Sequence, residues 1–134
     1  MVPIVSGGIY LVEDGVLRLP SGEARTVHSE RRRFVVISGV TNTEAAWPVV
    51  LGCPISGSTT HRTRFDVHLA AGEAGTSKRC WVRVPAVQPL RKVDLQDLTG
   101  ELDASRLEEL YARLLDYLGL TGSPPVEPWE DEPF

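Results

Sequence analysis

The chain has 134 residues, 42% hydrophobic and 24% charged, a balance that suits one globular domain and argues against wholesale disorder. Its formal charge is −4, yet Glu127, Glu130, Asp131 and Glu132 hold four of the 18 acids and no base follows Arg113, so residues 1–120 carry all 14 bases and are neutral as a unit. The N-terminus lacks the basic-then-apolar pattern of a leader, and no apolar stretch nears the roughly 20 residues of a membrane helix, so a cytoplasmic protein is expected.

In chain order, Gly8-Ile9-Tyr10-Leu11-Val12 and Val16-Leu17-Arg18-Leu19 flank Glu13-Asp14-Gly15. Asp-Gly between apolar runs predicts a hairpin, because both residues tolerate positive φ. Pro20 to Glu30 is polar and reads as a long loop. Phe34-Val35-Val36-Ile37-Ser38 is a β-branched run of the kind buried on both faces, and Trp47 to Ile55 is a second. Pro48 and Pro54 are expected at the ends of that second strand, since neither donates to a ladder.

Arg64-Phe65-Asp66-Val67-His68-Leu69 alternates, which puts Phe65, Val67 and Leu69 inward and Arg64, Asp66 and His68 on the opposite face. Lys78 to Val84 is another alternating strand after a turn at 72–77. Asp94 to Leu98 suggests a short turn. A helix then follows: Asp103 is an N-cap residue, and Leu107, Leu110, Tyr111, Leu114 and Leu118 recur at helical spacing. Gly119 supplies its left-handed stop, with Leu120 placed for the accompanying apolar contact. Short strands followed by one helix predict a mainly β, α+β domain over residues 1–120, built on a small curved antiparallel sheet or barrel. Residues 121–134 form a proline-rich acidic tail.

Cys53 and Cys80 have no metal-ligand spacing and read as two buried free thiols. No phosphate-binding glycine loop, dinucleotide fingerprint or zinc motif is present. The bases cluster as Arg25 with Arg31-Arg32-Arg33, then Arg62 with Arg64, then Lys78, Arg79 and Arg83, an arrangement that can attract a phosphate backbone despite the overall charge.

Four segments stand in a telling order: Gly8-Ile9-Tyr10-Leu11-Val12, Arg31-Arg32-Arg33-Phe34-Val35-Val36-Ile37-Ser38, Trp47-Pro48-Val49-Val50-Leu51-Gly52-Cys53-Pro54-Ile55-Ser56, and Val87-Gln88-Pro89-Leu90. Together they resemble the MazF/PemK/Kid toxin family. Its pattern is a Gly-x-x-Tyr/Trp strand, an Arg before an apolar strand ending in Ser or Thr, a Pro-Ile/Val-Thr/Ser turn, and a Gln-Pro stretch before a C-terminal helix. The resemblance spans about residues 7–118.

It implies an SH3-like, CcdB-type curved antiparallel barrel that acts as a metal-independent endoribonuclease on single-stranded RNA. It also implies a homodimer, a cognate antitoxin, no cofactor and no membrane association. By its motifs Arg32 and Ser56 would face one another across the scissile phosphate, with Arg33 the choice if the register slips by one. His28 stands where some relatives use a loop histidine. The Arg-x-Asp that other relatives place before Gln-Pro is replaced here by Pro85 and Val87. Arg31, Arg33, Arg62, Arg64, Lys78 and Arg79, with Gln88, are the expected RNA contacts. Two alternatives share the fold: a CcdB-like gyrase poison, which would act through its helix end, and a catalytically silent SH3-like binding module.

Overall fold

The computed structural model describes residues 4–19, 31–39, 46–59 and 62–120. Among the described residues, seven antiparallel strands and one α-helix occur in the order β1 (Gly8–Glu13), β2 (Arg31–Val36), β3 (Val49–Ser56), β4 (Val67–Leu69), β5 (Cys80–Val82), β6 (Gln88–Arg91), β7 (Leu98–Glu101) and α1 (Ala104–Tyr117). The strands lie side by side as β4-β5-β3-β2-β1-β7, with β6 also paired to β3. This is the mainly β, curved antiparallel architecture with a C-terminal helix that the sequence predicts.

Both sheet faces are packed. On one, Ile9, Val35, Ile37, Cys53, Val67, Leu69, Val82 and Val84 pack with Leu110 of α1, joined by Leu107, Tyr111 and Leu114. On the other, Tyr10, Val12, Leu17, Phe34, Val36, Val50, Leu90 and Leu95 form a second core. Burial on both faces is why the run at 34–37 shows no alternation.

α1 begins where the Asp103 carboxylate accepts the Arg106 N–H at 2.8 Å. It ends in a Schellman arrangement: Gly119 has φ 75°, and the Leu120 N–H donates to the Leu115 carbonyl at 2.9 Å.

The expected Asp-Gly hairpin does not form. Asp14–Val16 is a single turn of 3-10 helix and β1 pairs with β2, Tyr10 opposite Phe34. Asp14 is 5% exposed and its carboxylate takes the Arg32 guanidinium, so it is held inward rather than at a hairpin tip. Leu17 follows it into the second core.

Pro54 lies inside β3, opposite Phe34, not at its end. β6 pairs with β3 from Val49 to Gly52, and β5 takes over at Ile55 and Ser56. The Pro54 carbonyl points into the gap between those ladders and accepts the Arg83 N–H at 2.9 Å. A residue's N and O share one edge of an antiparallel strand, so the missing proline donor falls where no ladder asks for one.

Asp66 is buried, and all of β5 is buried, Trp81 included. β7 has no clear signal in the sequence. Its Gly100 backs so closely on the Ala74–Gly75 turn that an added Cβ would lie 2.0 Å from the Ala74 carbonyl oxygen.

Candidate functional site

Antiparallel register brings the two motif residues together. Val36 faces Gly52, Val35 faces Cys53 and Phe34 faces Pro54; carried two steps past the last pair, that register sets Arg32 against Ser56, and both line one cavity. There β2 and β3 open onto a cavity of about 190 Å³ lined by Arg31, Arg32, Arg33, Ile55, Ser56, Gly57, Thr76, Ser77, Lys78 and Cys80. Four bases and no carboxylate line it, a charge balance that favours an anion.

The three consecutive arginines have different surroundings. Arg31 is exposed and bound to Asp97 and Gln96, each at 3.0 Å. Arg32 gives its Nε–H to the carboxylate of Asp14; the side chains are 22% and 6% exposed. That contact uses the Nε edge of the guanidinium, whose fork has a second edge at Nη1 and Nη2. Arg33, on the opposite strand face, has a buried Nε with no hydrogen-bond partner among the described residues. Its charge acts on Cys80: burial pushes that thiol up, while the Arg33 guanidinium and a hydrogen bond with Thr76 pull the other way.

Ser56 sits at the last position of β3, and its Oγ accepts the Ser58 N–H at 3.1 Å. With one lone pair so engaged, the hydroxyl proton is directed elsewhere and can be donated to a ligand in the cavity. Lys78 also lines the cavity, is exposed, and has no ion-pair partner among the described residues.

The remaining expected contacts lie outside the cavity. The guanidinium carbons of Arg62 and Arg79 stand 5.4 and 5.6 Å from the buried Trp81 ring centroid, with the His68 ring 5.4 Å away. They form a basic patch on an indole. Arg64 lies over Phe65 at 4.8 Å, and its carbonyl accepts from Arg113 of α1. Gln88 binds the backbone of Arg18 at both its N–H and its carbonyl, each at 2.9 Å, so its amide fastens the chain as it enters the segment after Leu19. His28 lies outside the described residues, as do Arg25, the rest of 20–30, and the tail from 121.

Sequence reasoning missed Asp14, read as a turn residue, and Thr76 and Ser77, whose polar turn carried no signal beyond being a turn. Among the described residues no group of three or more His, Cys, Asp or Glu side chains is placed to hold a metal ion. No described helix is long and apolar enough to cross a membrane.

A curled antiparallel half-barrel backed by a C-terminal helix, with a basic pocket at the β2/β3 end, defines a small β protein. Its family follows from the sequence: residues 16–118 match the PemK-like, MazF-like toxin of type II toxin-antitoxin system, and the chain belongs to that family. No curated protein matches it in sequence.

Among solved structures it is similar to an endoribonuclease in complex with its cognate antitoxin from a mycobacterial species, at 16% identity and TM-score 0.64, covering 92% of this chain and 100% of that one. It is also similar to the Mycobacterium tuberculosis toxin MazF-mt6, at 16% identity and TM-score 0.64, covering 84% and 97%. A MazE-MazF structure from Deinococcus radiodurans gives 20% identity and TM-score 0.62, covering 90% and 100%. Identities this low speak for the fold alone.

Proposed function

We propose that this toxin-family chain is a metal-independent endoribonuclease that cuts single-stranded RNA with the scissile phosphate seated between Arg32 and Ser56. The observation that carries the reading is the cavity in which those two residues, Arg33 and Lys78 converge. The similar structures described as an endoribonuclease and as MazF toxins support it.

The nucleophile is the substrate's own 2′-hydroxyl. Its oxygen attacks the adjacent phosphorus, the bond to the 5′-oxygen breaks, and the products are a 2′,3′-cyclic phosphate and a 5′-hydroxyl. One proton leaves the 2′-oxygen and one reaches the departing 5′-oxygen; His28 is the proposed carrier. The protein's task is to hold the in-line geometry and to stabilise charge growing on the phosphoryl oxygens. Arg32, fixed by Asp14 along its Nε edge, offers the Nη edge to those oxygens, and Ser56 donates its hydroxyl proton to one of them. Arg33 and Lys78 add charge, while Arg62 and Arg79 meet the flanking backbone.

Residues 1–120 are the proposed catalytic unit, with 121–134 an acidic appendage. A homodimer and a cognate antitoxin are its proposed partners, the latter supported by the antitoxin-bound relatives. Trp47 is 57% exposed, Leu51 and Val93 are exposed as well, and the Lys92 N–H donates to the Pro48 carbonyl at 2.9 Å, which ties the chain beside Val93 to the chain beside Trp47. That apolar group is the proposed pairing surface.

The test is cleavage of a single-stranded RNA with and without EDTA, with the new 5′ ends mapped. Arg32→Ala should lose about two orders of magnitude or more, as when one donor to a transition-state oxyanion is removed, and Ser56→Ala should lose less. Magnesium dependence, 5′-phosphate ends, or full activity of Arg32→Ala would overturn the reading.

A further inference from the structure

We infer that Asp66 and Arg83 are positioning residues: their buried ion pair holds the chain leaving β3 and thereby aims the Ser56 hydroxyl. The inference rests on the proposed RNA-cleaving role of Ser56.

Neither residue lines the cavity. Arg83 follows directly on β5, where its backbone N–H is already fixed to Pro54. Its guanidinium forks. Nη1 donates to Asp66 Oδ2 at 2.8 Å, and Nη2 donates to the carbonyl of Ser58. Asp66 in turn gathers the far side of the same connection. Oδ2 accepts the Thr63 N–H and Oδ1 accepts the Thr63 hydroxyl, both at 3.1 Å. The side chains of Arg83 and Asp66 are 11% and 1% exposed, so the pair is shielded from water and little weakened by salt.

One ion pair therefore grips the connection between β3 and β4 at Ser58 and at Thr63. Ser58 is the link to the site. Its carbonyl is held by Arg83, and its N–H is the donor to Ser56 Oγ. If Ser58 shifts, Ser56 loses the contact that occupies its lone pair and directs its proton toward the cavity. A shift of about 1 Å at such a group is enough to slow a reaction about a hundredfold. The pair could be mistaken for an acid–base couple in place of the Arg-x-Asp missing before Gln-Pro. Its burial away from the cavity rules that role out.

The test uses the full chain with Arg83→Lys, which keeps a cation for Asp66 but lacks the fork that reaches Ser58 as well. At saturating RNA, kcat should fall about tenfold or more with KM changed less than about threefold. In the Ser56→Ala background the same substitution should add nothing, because its effect passes through that hydroxyl. Trypsin should cut after Arg62 faster in Arg83→Lys than in the parent at equal thermal stability, a readout that needs no RNA. Should Arg83→Lys fail to fold, Ser58→Pro removes the N–H at an exposed position and should give the same kcat loss. Losses that multiply in the double variant, or parental kcat and trypsin resistance in Arg83→Lys, overturn the inference. A parent that cuts no RNA sinks the proposed function instead, while trypsin still decides whether the pair holds Ser58.

Discussion

Cys53 shows what a buried position does to an ionisable side chain. Desolvation, with Asp66 as a second cause, pushes its thiol up from 9.0 to about 12. The folded protein keeps this proton after the unfolded chain has released it. The stability it contributes is thus complete below about pH 9 and is lost as pH rises toward 12. Burial moves Tyr10 in the same direction. Urea midpoints should fall between pH 9 and 11, with Cys53 contributing up to about 1.4 kcal/mol per pH unit. Cys53→Ala, less stable at pH 8, should lose less over that interval; equal losses would contradict the assignment. Legibility at this scale was uneven. That Arg32 and Ser56 line one cavity is what the family resemblance implies from the order of its motifs. The part of Asp14 was not legible, since an Asp-Gly pair looks the same whether its carboxylate points to solvent or reaches a guanidinium eighteen positions away. The burial of Asp66 was hidden for a related reason: alternation says which face a side chain takes, not whether something else covers that face.

The elements that were legible are those whose signal is local. α1 has its cap, its apolar period and its glycine stop in one continuous stretch, and all three operate in the structure. The strand at 34–36 is marked by an aromatic and two β-branched residues. What stayed hidden depends on partners distant in sequence: β7 exists because β1 offers it an edge, and Pro54 is tolerated because β3 changes neighbours at that point. Gly52 joins the two kinds of information. It lies in a run that reads plainly as a strand, yet a Cβ there would lie 2.3 Å from the Val35 carbonyl oxygen and 2.4 Å from the Phe34 ring. The ring of Phe34 therefore occupies the space a side chain would need, and it anchors the second core on the strand that leads to Arg32. Gly52→Ala should cost about 1–3 kcal/mol, the range for overpacking a tight interior, read as a lowered urea midpoint at unchanged slope. A neutral or stabilising result would show that the ring can yield.

For the molecule as a whole, net charge is a poor guide to what binds. Many of its bases are already neutralised internally: Arg31 by Asp97, Arg32 by Asp14, Arg83 by Asp66, Arg91 by Asp94 and Arg106 by Glu73. Arg33, Lys78, Arg62 and Arg79 have no such partner among the described residues, and they lie in or beside the cavity and the Trp81 patch. An RNA strand that meets these four releases counterions at each phosphate it neutralises. Its binding should weaken with a log–log salt slope of roughly −2 to −3, at about −0.7 per contact for a single strand. Binding to an uncleavable RNA carrying 2′-deoxy at the scissile position, measured from 50 to 300 mM salt on the order of those limits, isolates this term from catalysis. Lys78→Ala and Arg79→Ala should each make the slope shallower by about 0.7. Arg91→Ala is the control: Arg91, on β6 and outside the cavity lining, has an exposed guanidinium engaged by Asp94, so the slope should not change although the net charge falls equally. If all three substitutions flatten the slope alike, binding follows total charge and the cavity has no special part in it. If only Lys78 and Arg79 do, the RNA follows the path from the Ser56 pocket to the Trp81 patch.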